Sequence, residues 1–249
     1  MKKSILILLL LVIWSCEDKK SKFSAQQLVD KAITVSGGDL YNTSDISFTF
    51  RKRRYEVSHR SKKRILKRIS ITDSSEVVDI KTGNEFQRFI NDTLVVDLPD
   101  SLAIRYGNSV NSVHYFAYLP YGLNDRAVSK ELVGEATVKG TDYYKLKVTF
   151  SEEGGGDDFD DIYVYWINKA TWKPDYLAYE FHVNGGGMRF REAYNERFVH
   201  GIRFVDYKNY KPTQEGSILN IDSLYNANEL ELLSEIKLEN IVVTPGNYN

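Results

Sequence analysis

The chain predicts a mainly β fold of the α+β kind: a curved antiparallel sheet, a half-barrel of about ten strands, with one N-terminal helix and a short helical lid. Three observations lead there. Residues 141–211 hold run after run of strand-like residues, separated by Gly-rich and Asn/Asp-rich breaks and interrupted by nothing of helix length. Only residues 24–36 carry a full set of helix signals. A sheet this broad curls, so its concave face has to be filled by side chains, helices or a guest. With 42% hydrophobic and 13% aromatic residues the chain has ample material for a core, unlike a disordered one. A formal charge of −1, from 33 basic and 34 acidic residues, gives no overall attraction to nucleic acid.

The first residues read as an export signal. Met1, Lys2 and Lys3 make a short positive start, and residues 5–14 are an apolar run that is too short to span a bilayer and the right length for a signal-peptide core. Ile13-Trp14-Ser15-Cys16 then resembles the bacterial lipobox, in which a small residue precedes a cysteine that is acylated and exposed by cleavage. The expectation is a signal peptide over 1–15, lipidation of Cys16 as the membrane attachment, a polar tether over 16–23, and one β domain over 24–249. Two or three acyl chains, at about 0.8 kcal/mol per buried methylene, anchor a protein durably. The chain has a single cysteine, so neither a disulfide framework nor thiol chemistry is expected. Glu17 and Asp18 look like the surface-export signals of some Gram-negative lipoproteins, and equally like part of any solvated tether.

In the predicted helix, Ser24 and Gln27 have capping-box spacing, Leu28, Val29, Ala32 and Ile33 form an apolar stripe, and Gly37-Gly38 stops it. Residues 46–55 alternate Ile46, Phe48 and Phe50 against Ser47, Thr49 and Arg51, and residues 64–72 follow with Ile65, Ile69 and Ile71. These predict two strands joined near 58–62. The same hairpin carries a basic block, of which Arg51, Lys52, Arg53, Arg54, Lys62, Lys63 and Arg64 are candidate contacts to an anionic surface or acidic partner. The other reading of the block is the solvated face of an outer hairpin.

Residues 76–98 supply two or three further strands, with turns at Gly83-Asn84 and Asn91-Asp92. Residues 102–123 change character. Val113, His114, Tyr115, Phe116, Tyr118 and Leu119 give an apolar, aromatic segment read as a helix or irregular lid over one opening of the sheet, and they are the candidate cavity or lid residues.

Within 143–150, Tyr144, Leu146, Val148 and Phe150 oppose Tyr143, Lys145, Lys147 and Thr149, the period of a half-buried strand. Residues 162–167 are apolar or aromatic throughout, which suits a strand covered on both faces. Leu177, Tyr179, Phe181 and Val183 alternate, a glycine turn follows, and Met188 and Phe190 oppose Arg189 and Arg191. A last pair of segments spans 197–207. The tail reads as a strand at 218–221, a short helix near 228–233, and a closing segment over 236–243.

Taken together, Val113-His114-Tyr115-Phe116 with Leu119-Pro120, the segment 144–150, Tyr165-Trp166-Ile167-Asn168 and Gly185-Gly186-Gly187-Met188-Arg189-Phe190-Arg191-Glu192-Ala193 resemble an uncharacterised family of bacterial lipoproteins. The order of one N-terminal helix and a long meander resembles, more distantly, the carrier fold of LolA and LolB. That resemblance implies an open curved sheet around helices and an apolar cavity for acyl chains, in the envelope of a Gram-negative bacterium and on its outer membrane. A core packed solid by aromatic strands is the competing reading.

Enzyme signatures are missing: no G-x-S-x-G elbow, no H-E-x-x-H, no phosphate loop and no dinucleotide fingerprint. No cofactor or metal is expected. His59, His114, His182 and His200 are scattered. The acidic residues flanking Gly154-Gly155-Gly156 read as a solvated turn or as a calcium loop of non-EF-hand spacing. The sequence therefore supports a non-catalytic, membrane-anchored lipoprotein whose partner is a lipid or acyl chain, possible protein partners being unspecified. The alternative is an envelope interaction module that docks through its basic hairpin.

Overall fold

A computed structural model describes residues 22–60, 63–155, 159–182 and 185–246. The expected leader, Cys16, most of the expected tether, Lys62 and part of the acidic loop lie outside the described residues. Among the described residues fourteen antiparallel strands form two seven-stranded sheets, more than the ten or so expected. The first sheet contains β1 (Ser44–Phe50), β2 (Arg53–Arg60), β3 (Lys63–Ile71), β4 (Glu76–Thr82), β5 (Glu85–Ile90), β6 (Thr93–Leu94) and, beside β1, β14 (Glu239–Pro245). The second contains β7 (Val128–Val138), β8 (Thr141–Phe150), β9 (Ile162–Asn168), β10 (Pro174–Phe181), β11 (Gly187–Val199), β12 (Ile202–Pro212) and, beside β12, β13 (Leu230–Ile236).

The last strand of each sheet is consecutive in the chain. Only Lys237 and Leu238 separate β13 from β14, so the two sheets are leaves of one unclosed, curved ribbon that bends at this link. The bend is held by polar groups. Asp206 of β12, 3% exposed, accepts from the backbone N–H of Leu238 at 3.0 Å, from Arg197 at 2.9 Å and from Asn195 at 2.7 Å.

Helix α1 (Ala25–Ser36) begins at the expected capping box of Ser24 and Gln27 and buries Leu28, Val29 and Ala32. It lies on the inner face of the second sheet, against Leu146, Val148, Tyr165, Ile167 and Leu177. A one-turn helix α2 (Leu40–Thr43) leads into β1. The segment expected at 102–123 is an 18-residue helix, α3 (Asp100–Ala117), followed by a 3-10 turn at Tyr121–Asn124. Its Val110 and Ala117 pack on Phe48, Tyr55, Val57 and Leu66 of the first sheet, while Tyr115 and Phe116 pack on the second. Helix α3 is thus wedged between the two leaves. No helix of the described residues is long and apolar enough to cross a membrane.

Strand β9 is buried along nearly its whole length, as its unbroken apolar run predicts. One face joins the inner core, and Val164 and Trp166 on the other are covered by Ile218, Ile221 and Tyr225. Those last three residues belong to a 3-10 turn at Ile218–Asn220 and helix α5 (Ile221–Asn226), where the sequence reading places a strand. Ser217 accepts from the Leu219 N–H at 3.2 Å and starts the turn, and the i, i+4 pair Ile221 and Tyr225 then faces the sheet. The helix expected near 228–233 is instead β13, entered through Asn228 at φ 60°.

Two other departures come from turn chemistry. Residues 46–55 are not one strand, because Arg51 and Lys52 take φ 49° and 63° and form a two-residue hairpin between β1 and β2. Such turns favour Asn and Gly, so a turn of two basic residues gives no sequence signal. Strand β7, for which the sequence reading has no counterpart, pairs with β8 along its length around a bulge between Leu132 and Gly134. Helix α4 (Glu152–Gly155) is a single turn beside the acidic loop.

Candidate functional site: a cavity between the two sheets

Between the C-terminal half of α3 and the two leaves lies a cavity of about 410 Å³. That volume falls within the roughly 300–1,000 Å³ of small-ligand sites. Phe50 comes from the first sheet, Val113 and Phe116 from α3, and Tyr163, Tyr179 and Val205 from the second sheet. Ile236 and Leu238 close it at the bend. The aromatic wall is continuous: Tyr163 stacks on Tyr179 with centroids 5.6 Å apart, and Phe116 lies 6.0 Å from Tyr179 and 6.3 Å from Tyr163.

Five polar residues also line this space: Arg51, Ser112, Asp161, Arg189 and Arg191. Arg189 and Arg191 reach it because their cross-strand partners are Tyr179 and Leu177, both on the inner face of β10. The alternation of β11 therefore opposes two buried faces. Met188 and Phe190 pack outward under α5, and the arginines point in. Arg191 donates to the Tyr179 hydroxyl at 3.1 Å, and its guanidinium sits 4.3 Å from the Phe116 ring centre. Arg189 donates to the Met188 carbonyl at 2.8 Å and lies 5.0 Å from the Phe181 ring centre. Burial raises the pKa of the Tyr207 hydroxyl, which keeps it neutral.

Of the sequence-predicted cavity or lid residues, Val113 and Phe116 line the cavity and the other four pack around it. His114, fully buried, faces the first sheet with Nε2 3.1 Å from the Lys67 carbonyl and Nδ1 3.3 Å from the Tyr118 hydroxyl. Desolvation lowers its pKa to about 3, so the imidazole is neutral. The Tyr115 hydroxyl is 3.4 Å from that of Tyr165, in the core beneath the cavity. Tyr118 and Leu119 are 2% and 3% exposed core residues.

The basic block divides. Arg51, Lys52, Arg53 and Arg54 are all exposed at one end of the β1–β2 hairpin, with Arg54 paired to Glu56 at 2.8 Å. Lys63 and Arg64 stand at the other end of β2, about 23 Å away for eight residues of strand. Arg64 turns inward over Tyr118 and Tyr121, 5.5 and 5.6 Å from their ring centres. Lys62 lies outside the described residues. Residues contiguous in sequence are therefore not one surface patch. Arg68, from the same block, is buried against Asp79 at 2.6 Å.

At the cavity rim, ligating atoms of Asp160, Asp161 and His182 lie within 4.8 Å of one another, with Asp160 and His182 exposed. The sequence reading does not place Arg189, Arg191, Asp161, Tyr163 or Tyr179 in a cavity; it takes Asp161 only as part of the acidic turn or calcium loop. The only trace is the odd parity of Arg189 and Arg191 in an otherwise apolar strand, and register decides which way that parity faces.

Among solved structures, the chain is similar to a LolA superfamily protein from Nitrosomonas europaea, with 12% identity over 91% of this chain and 96% of that one and a TM-score of 0.50. It is also similar to a DUF1329 family protein from Desulfovibrio piger, with 12% identity over 87% and 92% and a TM-score of 0.47. At such identities the first of these likenesses shows the fold alone: an unclosed, LolA-like curved sheet. No curated protein matches the chain. The model of a family of unknown function, DUF6503, matches residues 2–240.

Proposed function

We propose, for a chain that belongs to the family of unknown function DUF6503, that it is a non-catalytic lipoprotein of the bacterial envelope, binding a lipid or another hydrophobic molecule between the leaves of its sheet. The observation that carries this reading is the cavity of about 410 Å³ walled by Phe50, Val113, Phe116, Tyr163, Tyr179 and Val205. A globular core normally closes such space, since interiors pack as densely as organic crystals. Here the described helices are few, and the inner face is shared by α1 and α3. An apolar guest entering the space would gain about 25 cal/mol for each Å² of its apolar surface removed from water.

Attachment through lipidated Cys16 puts the cavity near a membrane, the outer membrane in this reading, where a hydrophobic cargo is at hand. Within the reading, movement of lipids or lipoproteins between membranes is the natural task. The test is native mass spectrometry of the detergent-free protein after mild release. Co-purified fatty acid or phospholipid at about one per chain supports the reading. A protein that stays empty, and that takes up no neutral naphthylamine dye in solution, overturns it.

A further inference from the structure

Three buried arginines occur among the described residues, and two have carboxylate partners. Arg68 pairs with Asp79 at 2.6 Å and Arg203 with Glu196 at 2.5 Å. Arg191, 9% exposed, is the third, and it has no carboxylate partner among the described residues. Its Nε–H is buried without any acceptor, and the hydrogen bond it does make goes to the hydroxyl of Tyr179. A guanidinium removed from water without a counter-ion is unfavourable, and its fork of five donors is left largely unused.

The same cavity holds Arg189 and Arg51, and neither forms an ion pair among the described residues. The one carboxylate in the lining is Asp161, 3.8 Å from His182. Three cations against one carboxylate leave the lining positive, beside an apolar wall of Phe50, Val113 and Val205. From this we infer that the cavity takes an amphiphile with an anionic head, a carboxylate or a phosphate, whose charge is received by Arg191 and whose chain lies on the apolar wall. Guanidinium geometry matches either head bidentately. This rests on the apolar-ligand reading above and names the class of ligand.

The experiment uses the full-length protein loaded with a neutral naphthylamine dye, at about pH 8, where carboxylate heads are ionised. Palmitate, hexadecyl phosphate and methyl palmitate are each titrated to displace it. The expected result is displacement by one or both anions at about tenfold lower concentration than by the ester, the scale of a charge-assisted hydrogen bond. Comparison of palmitate with hexadecyl phosphate identifies the head. In Arg191→Gln the ratio of ester to anion should fall to near one. Arg191→Met, which keeps the stem against Phe116, is the second variant if the first does not fold.

Equal displacement by ester and anions in the unaltered protein overturns the inference and leaves the apolar-ligand reading standing. Persistence of the preference in a folded Arg191 variant also overturns it. Displacement by none of the three overturns the inference, and a protein that takes up no dye at the outset removes the apolar-ligand reading with it.

Discussion

The backbone N–H of Leu238 donates to the carboxylate of Asp206 at 3.0 Å, fastening the two-residue link between the sheets to the middle of β12. Arg197 completes the corner by donating to the same carboxylate at 2.9 Å and to the Leu238 carbonyl at 2.5 Å. Leu238 also lines the cavity, so the corner that bends the ribbon forms part of the cavity wall. Asp206→Ala strands these two donors and Asn195, which donates to the same carboxylate at 2.7 Å, and should cost about 2–4 kcal/mol of stability. Urea unfolding measures this. A loss below about 0.5 kcal/mol, the scale of an ordinary surface change, would mean the corner is held by other contacts.

A second buried carboxylate organises the other leaf. Asp79, 1% exposed, lies 2.6 Å from Arg68 and 2.7 Å from Arg88, and Arg68 also reaches Ser109 of α3 at 2.9 Å. Removing it in Asp79→Ala leaves the buried Arg68 uncompensated and should destabilise by about 3–5 kcal/mol. The double change Asp79→Leu with Arg68→Met should recover part of that loss, because the deeply buried guanidinium is gone and only Arg88, whose side chain is 17% exposed, is left without its partner. A double variant less stable than Asp79→Ala contradicts this account.

His114 makes stability depend on pH. Its folded pKa of about 3 lies below the ordinary imidazole value of 6.5, so between those values the unfolded chain binds the extra proton. The contribution is complete above about pH 6.5 and falls by about 1.4 kcal/mol per unit as the pH drops towards 3. His59, whose pKa burial also lowers, adds in the same direction. Stability measured by urea at about pH 7.5 and pH 5 should therefore drop less steeply in His114→Gln than in the unaltered protein. Equal slopes would show that the imidazole is not desolvated.

The proposed membrane attachment is lipidation of Cys16, which lies outside the described residues. Cys16→Ala should move the protein from the membrane fraction to the soluble fraction after a salt wash, with unchanged circular dichroism. A variant still held by membranes after that wash excludes acylation as the anchor.

Packing density around the second half of α3 gives a further test. A Cβ on Gly122 would stand 2.7 and 2.9 Å from ring atoms of Tyr115, inside contact distance. Gly122→Ala should therefore cost about 1–3 kcal/mol in thermal or urea unfolding, the usual range for overpacking. A neutral result would mean that the Tyr115 ring has room to swing aside.

Much of the fold was legible from local chemistry. The capping box of Ser24 and Gln27, the alternation of Tyr144, Leu146, Val148 and Phe150, and the all-apolar run of β9 are each set by neighbours within a few residues, and each appears as expected. The hairpin at Arg51 and Lys52 was not, since tertiary pairing of β1 with β2 imposes positive φ on residues that do not prefer it. Strand β7 and helix α5 were misjudged or passed over for the same reason: their form depends on the sheet they pack against.

By itself the sequence determined the class of the molecule: a broad antiparallel sheet, one capped helix and an aromatic segment for the interior. Tertiary structure alone decided that the sheet splits into two leaves joined at Lys237-Leu238, that the basic block falls to opposite ends of β2, and that Arg189 and Arg191 face inward. Periodicity along a strand says that two faces differ. Which face is covered, and by what, is set by the register with strands distant in the chain, and no local pattern of residues encodes that.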